Sequence, residues 1–144
     1  MSDRSFARCR AEVLLYTGVC SPVIVTERTG IEPSGLSLKG RVVGPNRVGR
    51  WRVESTNLWF LDSATEVEES SGLSVHLDWL VERIRDAHQI RSMVEELEID
   101  SRIRCVWWPL PGRGGGPDIS ARHLRWMADC GFVLEFDLGG EIRG

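Results

Sequence analysis

Three histidines and four cysteines are the side chains of this sequence best suited to act as bases, nucleophiles or metal ligands. The cysteines have no C-x-x-C spacing and no histidine at the spacing of a zinc site, so no metal site is predicted. His76, His88 and His123 are the candidates for a general base, because imidazole is the side chain that usually has this role. His76 and Asp78 lie two residues apart on a predicted helix, on different sides, and therefore cannot pair. His123 is expected at the solvated surface of its helix.

The motifs of the common catalytic classes are absent from the sequence. It contains no G-x-S-x-G, no H-E-x-x-H and no paired-carboxylate signature. A nucleophile–base pair such as Cys130 with His123 stays open, because residues distant in sequence can meet in the fold. We therefore expect a protein that is not an enzyme and holds no cofactor.

A glycine-rich loop, G-R-G-G-G at residues 112–116, lies between a predicted strand and a predicted helix, where phosphate-binding loops occur. It lacks the G-x-x-x-x-G-K-[ST] motif, and Asp118 would repel a phosphate. We interpret it as a flexible surface turn. The alternative is a small-molecule-binding protein or enzyme with a pocket between residues 112–118 and the first helix, holding Arg113, His123 or Cys130.

The strongest periodic pattern of apolar residues predicts one long helical segment, which contains His76 and His88. Its apolar residues step by threes and fours, as on one face of a helix: Leu73, Leu77, Leu80, Ile84, Ala87, Ile90, Val94 and Leu97. Because one helix of this length is long for so small a domain, a break is expected near residues 86–89. A further helix is predicted to begin after Ser120 and end at Gly131.

Strand patterns surround these helices and give the order β-α-β-β-α-β-α-β. Residues 102–108 and 132–138 alternate between apolar and polar, which predicts strands with one apolar face. The sequence therefore predicts an α+β fold, a single small domain with a four- to five-stranded sheet, helices packed on one face and the other face open. The predicted domain spans residues 12–138, with a flexible segment at 1–11 and a tail at 139–144.

The open sheet face is the main candidate for a binding surface. By alternation it carries Arg52, Glu54, Arg102, Arg104, Trp108, Glu135 and Asp137, with Leu14 and Tyr16 beside them. One interpretation is cross-strand ion pairing. The other is a docking face, because tryptophan, tyrosine and arginine anchor protein partners, and Trp108 is expected to lack a partner within the chain. The predicted binding residues are Tyr16, Arg52, Arg104, Trp108, Arg113, Glu135 and Asp137.

Composition and charge narrow the class of partner. The net charge of −3 and the pI of 5.6 give no overall attraction to nucleic acid or to anionic lipid. The amino-terminal residues are charged, and no apolar run approaches the roughly 20 residues of a membrane span. We expect a cytoplasmic protein.

Several short motifs follow one another in an order that resembles a known family. They are Ser21-Pro22, Gly30-Ile31-Glu32-Pro33, Lys39-Gly40, Trp51 and Leu77/Trp79/Leu80, followed by residues 115–120, Leu124, Gly131 and Phe136-Asp137. Together they resemble the bacterial family known as domain of unknown function 4279, over about residues 12–138. The resemblance implies a bacterial, single-domain protein and transfers no catalytic residue.

The hypothesis from sequence is thus a protein-binding domain without catalytic activity, which uses the open sheet face and residues 109–118. Its partner would be a toxin, as for immunity-type proteins, or a second copy of the chain. A small-molecule ligand near residues 112–118 is the alternative.

Overall fold

The computed structural model describes residues 6–112 and 115–139. The strands are β1 (Phe6–Tyr16), β2 (Gly35–Ser37), β3 (Val42–Val43), β4 (Arg52–Val53), β5 (Leu58–Asp62), β6 (Asp100–Pro109) and β7 (Val133–Asp137). The helices are α1 (Val23–Thr29), α2 (Leu73–Ile84), α3 (Ala87–Glu96) and α4 (Ala121–Cys130), with a 3₁₀ turn at Ser63–Thr65. Within the described residues, no helix has both the length and the apolar character needed to cross a bilayer.

Five strands form one mixed sheet in the order β2-β5-β1-β6-β7. The long central strand β1 pairs antiparallel with β5 and with β6, whereas β6 and β7 are parallel and are connected through α4. β3 and β4 pair only with each other in a separate two-stranded sheet. The predicted α+β domain with a four- to five-stranded sheet is confirmed.

The core lies between the sheet and the helices, as the alternation in β1 and β6 predicts. In β6, Ile103, Cys105 and Trp107 are buried against the helices, while Arg102 and Arg104 on the opposite face are partly exposed. The buried residues of all four helices join this same cluster. In β7 the pattern is weaker, because the strand lies at the sheet edge. Leu134 packs against the core, but Phe136 is 48% exposed.

The long apolar helical segment is divided at Arg85, as expected from its length. Arg85 has a φ of 59° and ends α2. The side chain of Asp86 then accepts a hydrogen bond from the backbone N–H of Gln89 and caps α3. The predicted limits of α4 are also confirmed, since Ser120 caps its start and Gly131, with a φ of 80°, ends it.

One prediction about the strands needs correction. β1 already begins at Phe6, so residues 6–11 belong to the sheet and are not a flexible segment. Residues 1–5 and 140–144 lie outside the described residues. Residues 58–62 also form a strand of the main sheet, in which Trp59 and Leu61 alternate into the core.

Candidate functional site

The side of the sheet away from the helices carries a layer of paired charges. Nη1 of Arg102 donates a hydrogen bond to Oε1 of Glu135 at 2.6 Å, and Arg104 donates to Oε2 at 3.2 Å. Arg104 and Glu135 are direct neighbours across β6 and β7. The hydrogen bond from Arg102 holds the pKa of Glu135 below its usual value. Partly exposed pairs of this kind contribute little to stability, because solvent screens them.

Apolar residues at the centre of this outer face are covered by the charged side chains. Leu14 and Val106 point away from the helices, yet they are only 4% and 2% exposed. Their neighbours across the β1–β6 pair are Arg102 and Arg10, whose aliphatic stems can lie over them. The centre of the face is therefore closed, and its charges are paired within the chain.

The predicted binding residues of the sheet separate towards its two ends. Tyr16 ends β1 and lies opposite Asp100, whereas Trp108 lies opposite Arg8. The eight steps of β1 between Arg8 and Tyr16 span roughly 26 Å at about 3.3 Å per residue. These residues do not form one compact site.

The prediction that Trp108 lacks a partner holds for its Nε1–H, which has no hydrogen-bond acceptor among the described residues, but it does not hold for its ring. The guanidinium of Arg8 lies 3.9 Å from the centre of its ring. Gly139 packs so closely on the indole that a Cβ there would lie 1.8 Å from Cδ1. Asp137, predicted beside it, is exposed and accepts a hydrogen bond from the N–H of Gly139 at 3.0 Å.

Arg52 and Glu54 do not lie on the main sheet, and their predicted position there is wrong. They belong to residues 38–54, which fold back on themselves through β3 and β4 and are called the β-ribbon below. Glu54 is buried at its base, where its carboxylate accepts two hydrogen bonds from Arg41 and one from the N–H of Leu38. The hydrogen bonds from Arg41 hold the pKa of Glu54 below its usual value.

The β-ribbon exposes apolar side chains. Val42 and Val53 face each other across β3 and β4, and Trp51 lies two residues before Val53. These three side chains are 58%, 63% and 62% exposed. Apolar exposure of this kind on adjacent residues is a feature of interaction surfaces.

The β-ribbon is also strongly basic. It contains five basic residues and one acidic residue, which gives it a charge of +4. Because the whole chain has a net charge of −3, the other 127 residues carry a net charge of −7. Arg41 is paired with Glu54. Within the described residues no carboxylate pairs with the remaining four, Lys39, Arg47, Arg50 and Arg52.

Tyr16 lies next to the base of the β-ribbon. A cavity of about 550 Å³ is lined by Tyr16 and Val19 on one side and by Lys39 and Asn57 on the other. Asn57 fixes this base by accepting a hydrogen bond from the N–H of Lys39 at 2.9 Å. Tyr16 and Arg52 thus belong to one region of the surface.

A second concave region lies beside the glycine-rich loop, and we call it the loop cleft. Its volume is about 420 Å³, and it is lined by Phe6, Leu73, Ser74, Trp107 and residues 116–120. A pocket was predicted between this loop and the first helix. The loop cleft instead borders α2, because β1 and β6 bring the start of α2 next to the loop. Arg113 lies outside the described residues.

A family model described as "Domain of unknown function (DUF4279)" matches residues 7–140. The chain belongs to this family. The match spans β1 to β7, so the resemblance seen in the sequence motifs is confirmed. No curated protein and no solved structure matches the chain.

In this DUF4279 domain His123 is buried, and its predicted surface position is wrong. It is 1% exposed, and Nε2 lies 2.7 Å from Oδ1 of Asp78 on α2. Nδ1 lies 2.9 Å from Oγ of Ser120. The spacing of three residues between Ser120 and His123 could have identified that pair, but Asp78 is 45 residues away. Both ring nitrogens are thus engaged, so the structure does not bring His123 together with Cys130 as a pair.

The Asp78 carboxylate determines which nitrogen of His123 carries the proton. The hydrogen bond from His123 holds the pKa of Asp78 below its usual value, so the carboxylate is ionised at neutral pH. An ionised carboxylate only accepts hydrogen bonds, and therefore Nε2 of His123 donates. In neutral His123 the lone pair on Nδ1 then accepts the hydroxyl proton of Ser120. Arg122 also donates to Oδ1 of Asp78, at 3.0 Å.

The second buried histidine has a structural role in the domain. Oγ of Ser63 accepts a hydrogen bond from the N–H of Ala11 at 2.9 Å and shares a second hydrogen bond with Nδ1 of His76 at 2.6 Å. Both side chains are inaccessible to solvent. Burial lowers the pKa of His76, which favours the neutral ring. This contact links α2 to the central strand.

The cysteines offer no activated thiolate in the core. Burial raises the pKa of Cys105 and of Cys130 to about 12. Cys9 is buried and donates to the carbonyl of Ser71. In the described part of the chain, no three His, Cys, Asp or Glu side chains are grouped to hold a metal ion.

Proposed function

We propose that this domain is a protein-binding module of the bacterial cytoplasm that docks an acidic partner protein on the β-ribbon. The observation that carries the proposal is the exposure of Trp51, Val42 and Val53 among four unpaired basic side chains. The proposal keeps the protein-binding function expected from the sequence and changes the position of the surface.

The composition of the β-ribbon supports a protein interface. Tryptophan and arginine dominate the energetic centres of such interfaces, where an apolar anchor fills a pocket and charges surround it. Trp51 supplies the anchor, with Arg50 and Arg52 beside it. Tyr16 and the adjoining cavity extend the surface onto the end of the sheet. In this proposal Arg104 and Glu135 neutralise each other, and Trp108 and Asp137 lie outside the docking surface.

Charge complementarity supports an acidic protein as the occupant. A nucleic acid is disfavoured, because the −7 carried by the other 127 residues would repel a long polyanion. A second copy of the chain carries the same charge of −7 outside its β-ribbon, so the crosslinking test distinguishes it from a different acidic protein. An immunity-type role, with a toxin as the acidic partner, is one form of this proposal.

The test begins with a photo-crosslinking amino acid at position 51 in the native host. The same group at position 124, on exposed Leu124 of α4, is the matched control. We expect a protein adduct at 51 that is absent at 124. An adduct to a second copy of the chain would contradict the proposal and show a homodimer. An adduct to nucleic acid would contradict it and show that nucleic acid binds the β-ribbon. No adduct above the control would refute it.

The identified partner is then purified and its affinity measured by calorimetry. Trp51→Ala and Arg52→Glu are each expected to raise Kd at least about 10-fold, as at an interface hot spot. Arg125→Glu, on exposed α4, is the charge-matched control and should leave Kd unchanged. The affinity of the wild type should fall with added salt. Equal losses in Arg125→Glu would show that only overall charge matters, which contradicts the proposal.

A further inference from the structure

Ser120 lies at the rim of the loop cleft and in contact with a buried, oriented histidine. We propose that Ser120 is a nucleophile and that the loop cleft is a site for hydrolysis of small esters with an uncharged acyl group. His123 is the general base in this site, and Asp78 is a positioning residue. The inference is independent of the proposed protein-binding function.

The hydrogen bonds around His123 have the direction that activates a hydroxyl. Asp78 accepts from Nε2 at 2.7 Å, which leaves Nδ1 to accept from Oγ of Ser120 at 2.9 Å. A serine, a histidine and a carboxylate joined in this order form a nucleophile, a base and an orienting group. Burial of His123 shields this arrangement from water, while Ser120 itself is exposed.

The start of α4 supplies donors for a developing oxyanion. The first N–H groups of a helix have no intrahelical acceptor, and here they belong to Ala121 and Arg122, directly after Ser120. The positive end of the helix dipole favours negative charge at the same position. A carbonyl oxygen of a substrate bound at Ser120 would lie close to these groups.

The lining of the loop cleft indicates the class of substrate. Phe6, Trp107 and Ile119 give it apolar walls. Asp118 is exposed at its edge and would repel a carboxylate or phosphate. An ester with a short apolar acyl chain fits these walls better than an anionic substrate does.

The reaction follows a two-step acyl transfer. Oγ of Ser120 bonds to the ester carbonyl carbon while its proton moves to Nδ1 of His123. The C–O bond to the alcohol then breaks, and the alcohol leaves with that proton. Water attacks the acyl-serine, giving one proton to His123, and the acid is released as Ser120 regains its hydrogen. Ester and water are the only reactants.

The same contacts also cap α4, so the experiment must separate chemistry from stability. Ser120 Oγ accepts a hydrogen bond from the N–H of His123 at 3.2 Å, as an N-cap does. Ser120→Asn removes the hydroxyl but keeps a strong N-cap side chain. Ser92→Ala is the matched control, because Ser92 is exposed on α3 and does not line the loop cleft.

The purified chain is incubated with a fluorophosphonate probe, and the labelled residue is found by mass spectrometry. We expect label on Ser120 and hydrolysis of p-nitrophenyl butyrate. Both should be lost in Ser120→Asn with an unchanged melting temperature, and both should be retained in Ser92→Ala. Asp78→Asn should slow hydrolysis at least about 10-fold, because the histidine loses its orienting charge.

Unlabelled Ser120 in the folded wild type would overturn the proposal. Hydrolysis that persists in Ser120→Asn would do the same. If Ser120→Asn fails to fold, the rate in Asp78→Asn decides, and an unchanged rate there refutes the inference. In the Trp51→Ala variant the probe should label Ser120 as it does in the wild type. This test is therefore separate from the test of the docking surface.

Discussion

The contact between Asp78 and His123 should contribute measurably to the stability of the domain. His123 is almost inaccessible, and its Nε2 donates to Asp78. Asp78→Ala leaves that buried donor without its acceptor, a change that costs about 1–3 kcal/mol. The side chain of Asp78 is 49% exposed, so water can reach the vacated position. We therefore expect a loss in the lower half of that range.

The free energy of unfolding is measured by urea denaturation at pH 7, followed by circular dichroism. Asp78→Asn keeps an oxygen acceptor for Nε2 of His123, so its free energy of unfolding should decrease less than that of Asp78→Ala. Arg122→Ala removes the exposed cation that also contacts Asp78. It should change the free energy of unfolding by no more than about 0.5 kcal/mol, as exposed ion pairs do. Equal losses for Asp78→Ala and Arg122→Ala would refute the view that the buried hydrogen bond is the stabilising element.

Three further predictions concern the core, the sheet edge and the thiols. Burial lowers the pKa of His76 from 6.5, so the unfolded chain takes up a proton at a higher pH than the folded chain does. The free energy of unfolding should therefore decrease as the pH falls below about 6.5. Urea titrations at pH 7.5 and 5.0 should show a smaller decrease for His76→Asn than for the wild type. Gly35→Ala places a Cβ 2.5 Å from Cζ of Phe60, which should cost about 1–3 kcal/mol, and Phe60→Leu should recover part of that loss in the double variant. An aromatic disulfide reagent should modify Cys20 rapidly in the native protein, whereas Cys105, with a pKa of about 12, should react only in denaturant.

The elements that were predicted correctly are those with local signals. The alternation in residues 102–108 gave the two faces of β6, because a strand side chain can point only to one side or the other. Ser120 and Gly131 gave the limits of α4, since capping depends on residues adjacent in sequence. The break between α2 and α3 followed from the length of the apolar pattern.

The features that could not be predicted depend on contacts between distant residues. Glu54 looks like the next residue of an outer strand face, and only its two hydrogen bonds with Arg41 show that it closes the β-ribbon. His123 looks solvated beside its arginines, and only the packing of α4 near α2 shows its partner Asp78. Nothing in the local sequence of either residue specifies these partners.

The two proposed sites lie at opposite ends of the central strand, which makes them energetically separable. Phe6 begins β1 at the loop cleft, and Tyr16 ends it beside the β-ribbon. Ten residue-to-residue steps along the strand separate them, roughly 33 Å at about 3.3 Å per step. Substitutions more than about 7–10 Å apart with no shared partner add within roughly 0.5 kcal/mol. The decrease in the free energy of unfolding of the double variant Trp51→Ala/Asp78→Ala should therefore equal the sum of the decreases in the two single variants. A larger deviation would mean that the β1 strand couples the two ends, and that partner binding could act on Ser120.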